Sequence, residues 1–238
     1  MKLGIMQPYL FPYLGYFQLI NAVDVFVIYD DVQYIKNGWI NRNKILSNRD
    51  PIMFTFGVKK DAMTMHINQR FYSENTYYST KEKFLKTLFV SYHKAPHFKN
   101  TYELITEILS YEDLNVSKFN VNCLRKICDY INISTPFILS SSLEKEKELK
   151  AQEAVIGINK LLGSHCYINA IGGMEFYSPK KFKENGIKLR FIKMYDIEYP
   201  QFDEQFIPNL SIIDVLMFNS KREIETLLND YELVSKDE

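Results

Sequence analysis

Cysteine is scarce in this chain. The three present, Cys123, Cys128 and Cys166, are an odd number without disulfide-like spacing, which points to a reducing cytoplasm. Histidine is almost as scarce, and no further His or Cys has ligand-like spacing, so no metal site is expected. His93 and His97 lie four apart, but Pro96 breaks the helix that a metal-binding pair would need. An excess of either charge is missing too: 29 basic residues balance 29 acidic ones, so no global field favours nucleic acid or an anionic membrane. Long apolar runs are absent, well short of the roughly 20 residues that a membrane span requires. The run Leu3 to Met6 is also too short for the apolar core of a signal peptide. The expectation is a cytoplasmic protein with no nucleic-acid partner and no membrane insertion. Oligomeric state is left open, a homodimer included.

Aromatic residues, by contrast, are plentiful. Seventeen Tyr and 17 Phe stand against one Trp, which suits a site that encloses or stacks on a ring, although compositional bias explains part of it. With 238 residues the chain can bury a sizeable core unaided. Short apolar runs at Leu3–Met6, Val25–Tyr29, Ile52–Val58, Pro136–Leu139, Cys166–Asn169 and Leu189–Ile192 read as strands. Helical segments are expected at Gly15–Ala22, then from Thr80 to Ile131, and at Leu149–Leu162, Ser178–Asn185, Ser211–Asn219 and Ser220–Asp230. Gly163 and Gly186 fall at helix C-terminal cap positions. The last eight residues read as a polar tail. No repeat or flexible linker divides the chain. The reading is a single α/β domain over residues 1–238, with a mostly parallel, Rossmann-like sheet, flanking helices and a helical insertion at about 80–132.

Four polar clusters each follow an expected strand: residues 7–16, 30–36, 140–142 and 169–173. Parallel strands would bring all four to one carboxyl edge, where α/β folds bind ligands. Asp30 and Asp31 are the candidate catalytic residues, Asp30 ahead because it follows the strand directly; one could act as a general base while the other caps a turn. Gln7, Tyr9, Tyr13 and Tyr16 form a polar, aromatic first loop. Tyr13-Leu-Gly-Tyr16 repeats the frame of the His-x-Gly-His box of adenylyl-transferring enzymes such as pantothenate synthetase, with Tyr in both His positions. Tyrosine carries no positive charge for a phosphate, which argues against ATP and Mg²⁺. Arg42 could clamp a diphosphate bidentately with Lys36 beside it, Trp39 could stack on a base or pyranose, and Asn41 stands in the same Gly-Trp-Ile-Asn-Arg-Asn block. Ser141, Asn169, Gly172 and Gly173 complete the candidate substrate contacts. Capping accounts for Ser211, with Asn209 and Asp214 as further residues to reach the site. Cys166 reads as a buried apolar residue rather than a nucleophile, because neighbouring His165 points to the other face of a strand.

These motifs carry a resemblance. Met6-Gln-Pro-Tyr-Leu-Phe-Pro-Tyr-Leu-Gly-Tyr-Phe-Gln-Leu19, Tyr29-Asp-Asp-Val32 and Gly38-Trp-Ile-Asn-Arg-Asn43 resemble the WbqC-like family. Ser91-Tyr-His-Lys-Ala-Pro96, Tyr167-Ile-Asn-Ala-Ile-Gly-Gly173 and Phe206-Ile-Pro-Asn-Leu-Ser-Ile-Ile-Asp-Val-Leu-Met-Phe-Asn219 continue it, collinear from residue 2 to about 232. Its members typically sit among genes for bacterial O-antigen and other surface polysaccharides. The resemblance implies transfer of an acyl or aminoacyl group to the amine of a nucleotide-linked amino sugar, before export, with an acyl or aminoacyl donor as co-substrate. Asp30 or Asp31 would then be the base, Arg42 and Lys36 would hold the diphosphate, and Tyr9, Tyr13 and Trp39 would flank the sugar or base. The alternatives are ATP-dependent adenylyl transfer on the His-x-Gly-His-like frame, and a non-catalytic partner in glycan assembly.

Overall fold

A computed structural model describes residues 1–146, 148–202 and 205–236. Five parallel strands and one antiparallel edge strand form its main sheet, as the expected α/β class requires. The strands are β1 (Lys2–Met6), β2 (Val25–Ile28), β5 (Phe137–Leu139), β6 (Cys166–Ala170), β7 (Lys188–Met194) and β8 (Tyr231–Val234), in the spatial order β5-β2-β1-β6-β7-β8. Leu3, Phe26, Val27, Tyr167, Ile168 and Phe191 are all fully buried. Both faces of the sheet are therefore covered, which is why these strands read as continuous apolar runs.

Helices α1 (Leu14–Asn21), α2 (Glu74–Tyr92), α3 (Phe98–Ile108), α4 (Val116–Tyr130), α7 (Ile212–Phe218) and α8 (Lys221–Leu228) pack into one core on one face. Helices α5 (Ala151–Leu161) and α6 (Pro179–Glu184) cover the other. The apolar stripe of α4 (Val121, Leu124, Ile127, Cys128, Ile131) is buried as its spacing predicts. Each such side chain contributes roughly 1.5–3 kcal/mol before conformational entropy is subtracted. Burial pushes the Cys123 thiol up to about 12 and raises Cys128 and Cys166 as well, so all three are poor nucleophiles at neutral pH. Gly163 and Gly186 sit just past α5 and α6 at φ +66° and +73°, the left-handed cap conformation.

Two sequence expectations need correction. Ile52–Val58 is not a strand of the main sheet. Asp50–Thr55 (β4) pairs antiparallel with Arg42–Ser47 (β3) in a separate hairpin between β2 and α2. Asn48 and Arg49 turn it at φ +49° and +70°, the two positive angles of a tight two-residue hairpin. The expected polar tail, residues 231–238, instead begins with β8, which pairs antiparallel with β7 from Phe191↔Val234 to Met194↔Tyr231. Its last two residues lie outside the described residues.

Candidate functional site

The chain runs from β1 outward to β2 and β5, then returns to the other side of β1 with β6 and β7. The order therefore reverses between β1 and β6, and at such a switch point the carboxyl ends of the strands leave a crevice. A cavity of about 450 Å³ opens there. Tyr9, Pro12 and Tyr13 line it from the loop after β1, Gly15 and Gln18 from α1, and Ile171 and Gly172 from the turn after β6. Ile192, Lys193 and Met194 of β7 close it, with Trp39, Asn43 and Asn209 at its edges.

The loop after β1 is clamped throughout. Phe11 is fully buried at φ +45°, a costly conformation for an aromatic residue. Its carbonyl accepts from Asn43 Nδ2 and from Ser211 Oγ, both at 2.8 Å. The Pro8 carbonyl accepts from Asn120 Nδ2 at 2.9 Å, and the Pro12 carbonyl from the Ile212 amide at 2.8 Å. These bonds hold the backbone so that Tyr9 and Tyr13 face the cavity. Tyr16 turns inward: it is buried, and its hydroxyl donates to the Gln7 carbonyl at 2.8 Å. Of the two tyrosines in the His-x-Gly-His-like frame, only Tyr13 lines the cavity.

Gly15 lets the Tyr13 ring lie against the start of α1. A Cβ at Gly15 would stand 2.5 Å from Tyr13 Cε2, so any side chain there must displace the ring. Gly15→Ala is therefore expected to leave folding intact while weakening a ring-bearing ligand by about 1 kcal/mol, the scale of one aromatic contact. Unchanged ligand affinity in a calorimetric titration would remove Tyr13 from the binding wall.

In the Gly38–Asn43 block, most side chains serve the scaffold. Asn41 is buried, accepting from Tyr34 Oη at 2.8 Å and donating to the Phe56 carbonyl at 2.7 Å. Arg42 Nε donates to the Gly38 carbonyl at 3.1 Å and Nη2 to the Asn37 carbonyl, so its fork is folded back on its own turn. Lys36 is exposed. The turn presents Trp39, 43% exposed, at the mouth of the cavity.

The two aspartates stand in different surroundings one strand away, over β2 and β5. Asp30 is buried, and its carboxylate accepts from the Ser141 amide (3.0 Å), Ser141 Oγ (2.8 Å) and Ser117 Oγ (3.3 Å). Asp31 Oδ2 pairs with Lys145 Nζ at 2.6 Å, while its Oδ1 is shielded and has no partner. Lys145 Nζ also donates to Ser140 Oγ and lies 5.5 Å from the Tyr29 ring centre. Burial, then the Asp31 charge, pushes the Tyr29 hydroxyl up to about 12. Asn169 is buried with its Oδ1 accepting from the Ala170 amide at 2.7 Å, and Gly173 packs on its amide group.

Of the residues singled out from sequence, Tyr9, Tyr13, Trp39 and Gly172 meet in the cavity. Asp30 and Ser141 meet one another, with Asp31 beside them. Asn209 lines the cavity, whereas Asp214 is buried and bonded to Tyr92, Tyr199 and Gln201. Sequence reasoning overlooked Gln18, Lys145 and the end of β7. Gln18 had a signal, as the one polar residue in the run Tyr16-Phe-Gln-Leu-Ile20. Lys145 had none within its charged stretch.

The chain is 29% identical over 222 residues to the uncharacterized protein Rv1507c of Mycobacterium tuberculosis, covering 92% of this chain and 93% of that one. No solved structure matches significantly. No described helix is long and apolar enough to cross a membrane. The WbqC-like protein family model matches residues 7–226, which includes every segment lining the cavity, and the chain belongs to that family.

Proposed function

We propose that this protein is an enzyme of bacterial surface-glycan biosynthesis that transfers an acyl or aminoacyl group to the amine of a nucleotide-linked amino sugar. The observation that carries this reading is the cavity at the switch point of the sheet, walled by Tyr9, Tyr13 and Trp39. Aromatic faces of this kind suit a base or a pyranose, and a volume of about 450 Å³ suits part of a small-molecule substrate. Asp31 follows β2, the strand next to β1, whose loop carries Tyr9, and neighbouring strands lie about 4.8 Å apart.

In this reading Asp31 is the base. Asp31 takes one proton from the substrate ammonium, and the resulting amine attacks the acyl carbonyl carbon of the donor. A C–N bond forms, the bond from that carbon to the donor's leaving group breaks, and the second amine proton leaves with that group. Lys145 holds Asp31 Oδ2 and so orients the carboxylate. Asp30, saturated by Ser141 and Ser117, shapes the edge.

Trp39, the only tryptophan, is a built-in reporter. Titration with a panel of nucleotide-linked amino sugars is expected to give a saturable change in its emission, abolished or weakened at least several-fold by Tyr13→Ala. Incubation with an acyl or aminoacyl donor should then add the group's mass to the sugar. If no amino sugar of the panel binds at millimolar concentration, the reading is withdrawn.

A further inference from the structure

The cavity floor carries a side chain whose bonding is incomplete. Gln18 is fully buried in α1 and lines the cavity. Its Nε2 donates to the Leu227 carbonyl at 2.8 Å and to the Asp230 carbonyl at 3.1 Å. Two carbonyl acceptors fix the orientation of the amide, because a flipped group would set oxygen against oxygen. Oε1 must therefore point away from α8, and it has no partner. A buried acceptor left without a donor is a standing cost, and such groups mark places where a missing partner belongs.

Two further features limit what that partner can be. Tyr9, Tyr13 and Trp39 line the cavity with aromatic surface. Among the described residues lining the cavity the one formal charge is Lys193, and its Nζ is paired with Glu232 at 2.9 Å. The space offers aromatic faces and one buried acceptor, with no unpaired charge.

Resting on the functional reading above, we infer that this cavity seats an uncharged ring that donates one N–H or O–H to Gln18 Oε1, while charged parts of the substrate stay outside. Both the base and the pyranose of a nucleotide-linked amino sugar have this chemistry. Gln18 is then a specificity-determining residue, lining the same cavity as Tyr9 and Tyr13.

Calorimetric binding decides it without any turnover. Uridine 5′-diphosphate, its N3-methyl analogue and the free amino sugar are titrated against the full chain and against Gln18→Met. If the base is the occupant, methylation of N3 weakens binding at least tenfold and Gln18→Met does the same to the parent nucleotide. If the pyranose is the occupant, the free amino sugar binds, Gln18→Met weakens it at least tenfold, and N3 methylation changes nothing. Either pattern supports the inference. Gln18→Met also loses the bonds to α8; should it fail to fold, the ligand series alone decides, with deoxy analogues of the sugar removing each hydroxyl donor in turn. The inference is overturned if no donor deletion on either ring changes affinity by more than twofold. Nucleotide-linked amino sugars that bind strongly yet indifferently to these changes would sink the inference and spare the functional reading. If no nucleotide-linked amino sugar binds but a free ring compound does so in a Gln18-dependent manner, the functional reading falls and the ring site stands.

Discussion

Asp31→Asn is expected to lower turnover of a verified substrate by about 10²–10⁴-fold, the usual range for loss of a general base. The exchange is nearly isosteric and weakens one ion pair whose partners are about one-fifth exposed, so the loss of stability should stay within about 1 kcal/mol. Asp30→Asn should behave in the opposite way. Asp30 accepts three hydrogen bonds, one from a backbone amide that cannot rotate away, and an asparagine would lose the charge that strengthens them and force both serine hydroxyls to turn from donor to acceptor. A cost of about 1.5–3 kcal/mol in stability is expected, the scale of a hydrogen bond to a charged group. Paired measurements of denaturant midpoint and turnover on the two variants separate the roles. Full turnover in Asp31→Asn would end its assignment as the base.

Asp214→Ala is expected to destabilise the protein by about 3–5 kcal/mol, because it strips the acceptor from three donors at once in a buried network. Tyr92 and Tyr199 hydroxyls reach the carboxylate at 2.8 Å each and Gln201 Nε2 at 2.7 Å. Tyr92 Oη in turn accepts from the Leu46 amide at 2.7 Å, so the network joins α7, α2 and the β3–β4 hairpin. The melting temperature should fall by roughly 6–20 °C for a chain of this size. Burial raises the Asp214 carboxyl above its ordinary value, against the opposing effect of its hydrogen bonds. Between the unfolded and folded values the folded state therefore binds more protons, and this residue's contribution to stability declines as pH rises through that interval. Asp214→Asn should flatten that part of the stability–pH curve, as followed by thermal unfolding across acidic pH. A melting temperature within 2 °C of the parent for Asp214→Ala would show that the three donors find other acceptors.

Much of the architecture was legible because parallel strands buried on both faces leave an unmistakable apolar trace. β1, β2, β5, β6 and β7 were all found this way, and their common direction puts the polar clusters that follow them at one edge. The β3–β4 hairpin escaped because its turn is Asn48-Arg49, without the glycine that usually announces positive φ. β8 escaped because a four-residue, half-buried edge strand resembles any loop. Distinguishing the two aspartates was beyond local reasoning: the groups that occupy Asp30 come from Ser117 and Ser141, 87 and 111 positions away. Tyr13 and Tyr16 look equivalent in the sequence, and only the bond from Tyr16 to Gln7 separates an outward ring from an inward one.

The tie between Gln18 and the carbonyls of Leu227 and Asp230 spans 209 and 212 positions, so it closes one of the longest loops the chain can make. Contacts of such separation form late in folding, after the nearer ones have reduced the entropy of closure. During synthesis Gln18 emerges 212 positions ahead of Asp230, and the orientation of its amide cannot be set until Asp230 has left the ribosome. A nascent chain would thus carry the aromatic loop early and yet lack an ordered floor beneath it. If the cavity binds as inferred from Gln18, its floor is completed only when both ends of this tie are present.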